Sequence, residues 1–114
     1  MKEKTSKSNT NLNLKEIANY IGDICSETYG VVGLVSPKSP LNMLLKRDKY
    51  SEGIILYKRV DKFYVVEIHL VVAYGVKITE VASEVSKRIL YFLNKEYPLL
   101  FKKVNVYVEE IRDL

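Results

Sequence analysis

Residues 63–74 read FYVVEIHLVVAY and form the most apolar run of the chain. Valine, isoleucine and the aromatic residues are enriched in β-strands, so this run predicts one long strand. Because successive side chains of a strand point to opposite sides of its sheet, the run presents two faces. One face is apolar and is expected to line the core: Tyr64, Val66, Ile68, Leu70 and Val72. The other, which we call the second face, carries Phe63, Val65, Glu67, His69, Val71 and Ala73.

The sequence before this strand predicts a helix and the first half of a hairpin. Residues 54–59 favour a strand, and residues 60–62 form a tight connection to the long one. Further upstream, Asn13 followed by Glu16 is typical of a capping box at a helix start. Apolar residues then recur at helical spacing as far as Gly30, a residue that suits the end of a helix.

The sequence after the long strand predicts a second helix and a last strand. Gly75 ends the strand, and Thr79 is the expected N-cap of the helix. Pro98 prevents the helix from continuing past the residue before it. The final strand alternates between Val104, Val106 and Val108 on one side and Asn105, Tyr107 and Glu109 on the other.

Together these segments predict an α/β (α+β) fold with the order α-β-β-β-α-β. A short apolar run at residues 30–35 supplies the first strand, and residues 37–53 are irregular, with a helical turn expected at 41–46. Two amphipathic helices and a sheet with one strongly apolar face favour a two-layer sandwich, a small mixed sheet with both helices on one face. Residues 1–11 are expected to be a disordered polar tail, and residues 12–114 a single domain.

Composition limits the classes of function. The formal net charge of the 114 residues is +4, and the tail supplies half of it, so charge alone does not indicate nucleic-acid binding. A single cysteine, Cys25, cannot form an intrachain disulfide. The N-terminus is too polar for a secretory signal, and the apolar run is shorter than the roughly 20 residues of a spanning helix. These features predict a cytoplasmic protein.

No residue pattern points to catalysis, a metal or a cofactor. His69 is the only histidine, and Cys25 lies on the apolar stripe of the first helix, where a cysteine acts as a small hydrophobic residue. Glu67 and His69 share one strand face but lack an evident third ligand for a metal. Gly30 and Gly33 match a GxxG nucleotide-binding loop, yet the valines between them offer no cation to a phosphate. We therefore predict no catalytic residues, no metal site and no cofactor.

The second face is the more informative feature. Both helices are expected on the core side, so nothing in the chain is assigned to cover this face, and exposed apolar patches usually mark interfaces. The alternative is that the tail or residues 37–53 fold over it. The candidate partner interface consists of Phe63, Val65, Glu67, His69, Val71 and Tyr107.

Short basic clusters leave a second function open. If they converge near the hairpin, they can attract anionic lipid or nucleic acid, with Tyr50, Tyr57 and Tyr64 available to stack on bases. The candidate anion-binding surface consists of Lys46, Arg47, Lys49, Lys58 and Arg59.

Four segments in this order and spacing resemble the Asp23/Gls24 family of bacterial envelope-stress proteins. They are the GVVGL run at residues 30–34, the strand and corner VEIHLVVAYGVKI at 66–78, the helix start TEVASEV at 79–85 and the last strand VNVYVEEI at 104–111. The resemblance covers residues 14–112, although residues 37–53 do not align with the family.

The resemblance implies a non-enzymatic protein related to alkaline and cell-envelope stress. With the apolar second face, it favours a scaffold protein that binds a partner or itself through that face. Some family members are held at the membrane by a small membrane protein, so the resemblance also implies such a partner and a position at the inner face of the cell membrane. Homo-oligomers are expected from the second face. A small nucleic-acid-binding domain with a basic, tyrosine-rich hairpin is the alternative.

Overall fold

The computed structural model describes residues 12–39 and 41–113. The predicted tail at residues 1–11 and the last residue of the predicted domain lie outside this range. The elements in chain order are α1 (Leu14–Ser26), β1 (Val31–Leu34), a 3-10 helix (Arg47–Glu52), β2 (Ile54–Lys58), β3 (Tyr64–Ala73), α2 (Ile78–Glu96) and β4 (Phe101–Arg112).

Strand β3 is the centre of the sheet. Along one edge it pairs in parallel with β4 over its whole length, from Tyr64 opposite Phe101 to Ala73 opposite Arg112. Its opposite edge is shared end to end by β2 and β1, both antiparallel to it. Helix α2 makes the long connection that parallel neighbours require. The predicted mixed sheet and the predicted element order are confirmed.

Both helices pack on the same side of the sheet, as predicted. The core joins the even-numbered side chains of β3 to α1 residues such as Ile17 and Ile21 and to α2 residues such as Val85 and Ile89. Cys25 is fully buried in this core. Apolar burial of this kind stabilises the fold by roughly 25 cal/mol per Å² removed from water.

The helix ends differ in part from the sequence-based predictions. Asn13 caps α1 as expected, because its side-chain oxygen accepts a hydrogen bond from the backbone N–H of Glu16 at 3.1 Å. The helix ends at Ser26 rather than Gly30, and Gly30, at φ 91°, leads the chain into β1 instead. Lys77, not Thr79, occupies the N-cap of α2.

Residues 41–53 are folded against the domain, although their sequence shows no periodicity. The prediction of a helical turn at 41–46 is wrong. The helical part of this segment is the 3-10 helix, which begins at Arg47. The backbone N–H of Leu45 donates to the carbonyl oxygen of Leu34 at 2.8 Å, and Leu44 bridges to Val35. The ring of Tyr50 rests on α1 at Gly22, where any Cβ would overlap it.

Candidate functional site

The second face is formed by three strands in register. Next to β3, Tyr57 of β2 and Lys103 of β4 flank Val65, and Tyr107 lies opposite His69. An irregularity in β4 between the partners of Leu70 and Val71 inserts Glu109 as an extra residue. Such a bulge redirects a side chain. Glu109 lies on the same side of β4 as Tyr107, and the bulge shifts the pairing so that Val71 is opposite Glu110 while Glu109 reaches His69.

His69 lies at the centre of this face and is held from three directions. Its Nδ1 is 2.7 Å from Oε2 of Glu109, and its Nε2 is 4.0 Å from Oε1 of Glu67. The ring stacks on Tyr107 with 5.1 Å between the centroids. The histidine is 7% exposed, so its orientation is fixed by these neighbours.

The arrangement does not assemble a nucleophilic site from Cys25 and His69. The cysteine is in the core on the helical side of the sheet, whereas the histidine is on the second face. Burial raises the pKa of the Cys25 thiol to about 12, so the thiol is protonated at neutral pH. Within residues 12–39 and 41–113, no group of three or more histidine, cysteine or acidic residues is placed to hold a metal ion.

The residues predicted to form the partner interface differ in exposure. Val65, Val71 and His69 are buried, Phe63 and Glu67 are half-buried, and Tyr107 is 43% exposed. At the β1 end of the face, the side chain of Leu44 lies over Gly33, which pairs with Val71. Part of the irregular segment therefore covers this end, and the expectation that the whole face is uncovered is wrong there.

What remains accessible is a strip of polar and aromatic side chains, which we call the tyrosine strip. Tyr57 and Tyr107 are 41% and 43% exposed. Partial burial, followed by the charge of Glu67 and a hydrogen bond to it, raises the pKa of the Tyr57 phenol. The strip comprises Tyr57, Glu67, Tyr107 and Glu109, arranged around the buried ring of His69.

The residues predicted to bind anions fall into two groups at opposite ends of β2. Before the strand, Arg47 donates two hydrogen bonds, of 2.8 and 2.6 Å, to the carboxylate of residue Asp23 on α1. After the strand, Arg59 forms an ion pair with Asp61 at 2.7 Å. Lys46, Lys49 and Lys58 are exposed. Their joint action as one anion-binding surface stays a prediction.

Tyrosines considered for base stacking have other contacts. The Tyr50 ring packs on Gly22, and the Tyr64 ring lies 5.5 Å from that of Phe101. Tyr57 belongs to the tyrosine strip.

None of the helices in the described part of the chain is long and apolar enough to span a bilayer.

Comparison with known proteins identifies the family of this chain. A model of the Asp23 family, described as having a cell envelope-related function, matches residues 2–113. Two uncharacterized proteins are similar over 99 residues, or 84% of this chain. Spy1614 from Streptococcus pyogenes serotype M6 is 34% identical with 81% of its length covered, and YloU from Bacillus subtilis is 30% identical with 82% covered.

Solved structures of MamM CTD variants share the fold. One has a TM-score of 0.52 with 10% identity, over 91% of this chain and 98% of the other. A second has a TM-score of 0.52 with 12% identity, over 88% of this chain and 99% of the other. At this identity the likeness concerns the arrangement of helices and strands.

Proposed function

Because the chain belongs to the Asp23 family, whose described function is related to the cell envelope, we propose that it is a non-enzymatic scaffold protein that binds other protein molecules through the tyrosine strip. The observation that supports this most directly is the pair of half-exposed tyrosines on an otherwise well-covered sheet face. Tyrosine is enriched at protein interfaces because it contributes a large contact area and loses little conformational freedom.

The strip is already ordered in the single chain. Tyr107 is stacked on His69, which is itself held by Glu109, and Tyr57 lies on the strand next to Glu67, whose charge contributes to the raised pKa of the Tyr57 phenol. A partner therefore meets side chains that have lost much of their freedom before binding. Preorganisation of this kind reduces the entropic cost of association.

A second copy of the chain is the first partner to test. The strip holds acidic residues, and Lys102 and Lys103 lie at the β3 start of the same sheet. Two sheets facing each other around a twofold axis can place the acidic part of one against the basic part of the other. In the cell we propose a cytoplasmic position at the membrane, reached through a small membrane protein.

The experiment measures self-association by light scattering coupled to size-exclusion chromatography. We expect the wild type to form a dimer, and the double substitution Tyr57→Ser and Tyr107→Ser to weaken it by more than roughly tenfold, as loss of two interface tyrosines implies. The matched control removes two tyrosines that are exposed elsewhere, Tyr29→Ser and Tyr91→Ser. Circular dichroism verifies that both variants are folded.

Equal weakening in the control variant, or a wild type that stays monomeric at all concentrations, would contradict self-association through the strip. Repeating the measurement at high salt separates the alternatives further. An interface of aromatic side chains persists in salt, whereas a complex bridged by bound nucleic acid dissociates.

A further inference from the structure

The parallel pairing of β3 and β4 gathers charges that are far apart in the sequence. Parallel strands begin at the same end of a sheet, so the turn at residues 59–62 before β3 lies beside the turn at residues 97–100 before β4. The backbone N–H of Tyr64 donates to the carbonyl oxygen of Leu100 at 2.9 Å, which ties the two turns together. Strand β2 ends here as well, with Lys58 opposite Tyr64.

This end of the molecule carries a net charge equal to that of the whole chain. We call it the basic end: it holds five cations and one carboxylate, a net charge of +4, and the formal net charge of all 114 residues is also +4. The remainder of the chain is therefore neutral overall. The charged residues of the basic end are Lys58, Arg59, Asp61, Lys62, Lys102 and Lys103.

Each of the two turns presents an aliphatic side chain to the solvent. Val60 is fully exposed and Leu99 is 87% exposed. Leu99 has a φ of 65°, a left-handed conformation that is uncommon for a leucine. Its turn is held by a hydrogen bond from Leu100 to Tyr97 at 3.3 Å.

The turn around Val60 is also fixed. The backbone N–H of Arg59 donates to the carbonyl oxygen of Phe63 at 2.8 Å, and the Asp61 carboxylate accepts from both Arg59 and the N–H of Phe63. The two aliphatic side chains are thus presented by ordered turns at the end of the sheet that also holds Lys58, Lys62, Lys102 and Lys103. Aliphatic side chains within a collar of cations suit the boundary between the headgroups and the hydrocarbon of an anionic bilayer.

The same cations suit a nucleic acid less well. Non-specific binding of single strands uses aromatic rings on which bases stack. Here Nζ of Lys102 lies 4.6 Å from the centre of the Phe63 ring, and Tyr64 packs against Phe101. These rings are occupied by the protein itself, whereas Val60 and Leu99 are available.

We propose that the basic end binds an anionic phospholipid bilayer directly, with Val60 and Leu99 entering the headgroup region and the surrounding lysines facing the lipid phosphates. The basic end shares Lys102 and Lys103 with the proposed contact between two copies, but Val60 and Leu99 lie outside that contact, and Tyr57 and Tyr107 lie outside the basic end. Either of the two proposals can therefore fail while the other holds.

The test is co-sedimentation of the full chain with two kinds of vesicle, phosphatidylcholine alone and phosphatidylcholine mixed with phosphatidylglycerol. We expect binding to the mixed vesicles at low salt and much weaker binding to the neutral ones. Lys62→Gln together with Lys103→Gln should weaken binding by about fivefold for each lysine. Val60→Ser together with Leu99→Ser should weaken it by roughly tenfold.

The chain offers matched controls at the opposite end of the sheet. Leu41 and Met43 are exposed aliphatic residues near Lys46 and Lys49. Leu41→Ser with Met43→Ser should leave vesicle binding unchanged. The lysine control, Lys15→Gln with Lys87→Gln, removes exposed cations from α1 and α2 and should also leave binding unchanged. Urea unfolding establishes that all four double variants are folded.

Three results would overturn the proposal. The first is a wild type that does not bind the mixed vesicles at low salt, and the second is an equal loss of binding in the control variants. The third is a protein that binds neither kind of vesicle but shifts a single-stranded oligonucleotide in a mobility-shift assay. That result would assign the basic end to nucleic-acid binding.

Discussion

The thiol of Cys25 couples the stability of the fold to alkaline pH. The residue is fully buried on the apolar stripe of α1, and this burial raises its pKa from 9.0 to about 12. In the unfolded chain the thiol ionises near its ordinary pKa, whereas in the folded chain it stays protonated until the pH is much higher. The unfolded state therefore loses its proton first as the pH rises, and ionisation favours unfolding.

From this we predict the shape of the stability curve. The contribution of Cys25 to the free energy of unfolding should be complete below pH 9 and should decrease between pH 9 and 12, by about 1.4 kcal/mol per pH unit. Urea unfolding of the wild type and of Cys25→Ala across this range measures it. Other groups titrate in both proteins, so the informative quantity is the difference between the two curves. A difference that does not change with pH would contradict the prediction.

At Gly22 the absence of a side chain allows α1 to pack closely against Tyr50. Its helix passes so close to Tyr50 that a Cβ atom would lie 2.6 Å from Cγ and 2.8 Å from Cβ of that tyrosine. These atoms are at the base of the ring, so the whole residue must move to make space. Alanine normally favours a helix over glycine by about 1 kcal/mol, but overpacking costs about 1–3 kcal/mol.

We therefore expect Gly22→Ala to lower the free energy of unfolding by up to about 2 kcal/mol, measured by urea denaturation. Adding Tyr50→Ala to this variant should turn the alanine at position 22 from destabilising to stabilising, because the obstacle is gone. If Gly22→Ala stabilises the wild-type background, the ring is not held against α1.

At the level of single elements, α2 shows how a capping signal can mislead. Thr79 is a favourable N-cap residue by type, but the helix begins at Ile78 and Thr79 lies inside its first turn. The N-cap position belongs to Lys77, whose ammonium group cannot accept a hydrogen bond. The start of a helix depends on the conformation of the preceding turn as well as on the type of the capping residue. Here the turn at Gly75, with φ 94°, is followed by the N-cap at Lys77.

A substitution at the N-cap of α2 is predicted to stabilise the fold. Lys77→Ser creates a capping box with Glu80, which occupies the third helical position. We expect an increase of about 1 kcal/mol in the free energy of unfolding, measured in urea. Thr79→Ala is the control and should have little effect. A large loss of stability in the control would mean that Thr79 caps the helix after all.

At the level of the whole molecule, alternation of apolar residues was sufficient to predict the two layers and the helical side. The same alternation correctly assigned Tyr107 and Glu109 to one side of the last strand. It could not reveal that Glu109 reaches His69, because that contact depends on the register of a parallel pair and on a bulge. Register between parallel strands leaves no local signal, since the connection is a helix rather than a tight turn.

The same reason explains the basic end. The sequence-based hypothesis grouped Lys58 and Arg59 with Lys46, Arg47 and Lys49, on the expectation that these clusters converge around the hairpin. The fold places Lys58 and Arg59 at the same end of the sheet as Lys102 and Lys103, across β3 and more than forty residues away in the sequence. The cover that Leu44 forms over the β1 end of the second face could not be predicted for a related reason. Its segment is fixed by single backbone hydrogen bonds, such as that from Leu45 to Leu34, which residue periodicity does not encode.

The position of β4 has a consequence for synthesis on the ribosome. The chain emerges with α1 first and then β1, β2 and β3, whose antiparallel pairing can form at once. One whole edge of β3 has no neighbour until α2 and then residues 101–112 have followed. During that interval a long, apolar strand edge is available to other nascent chains. Aggregation through this edge would therefore be favoured by a pause in translation after α2. A chaperone that binds the nascent chain would be most useful at that stage.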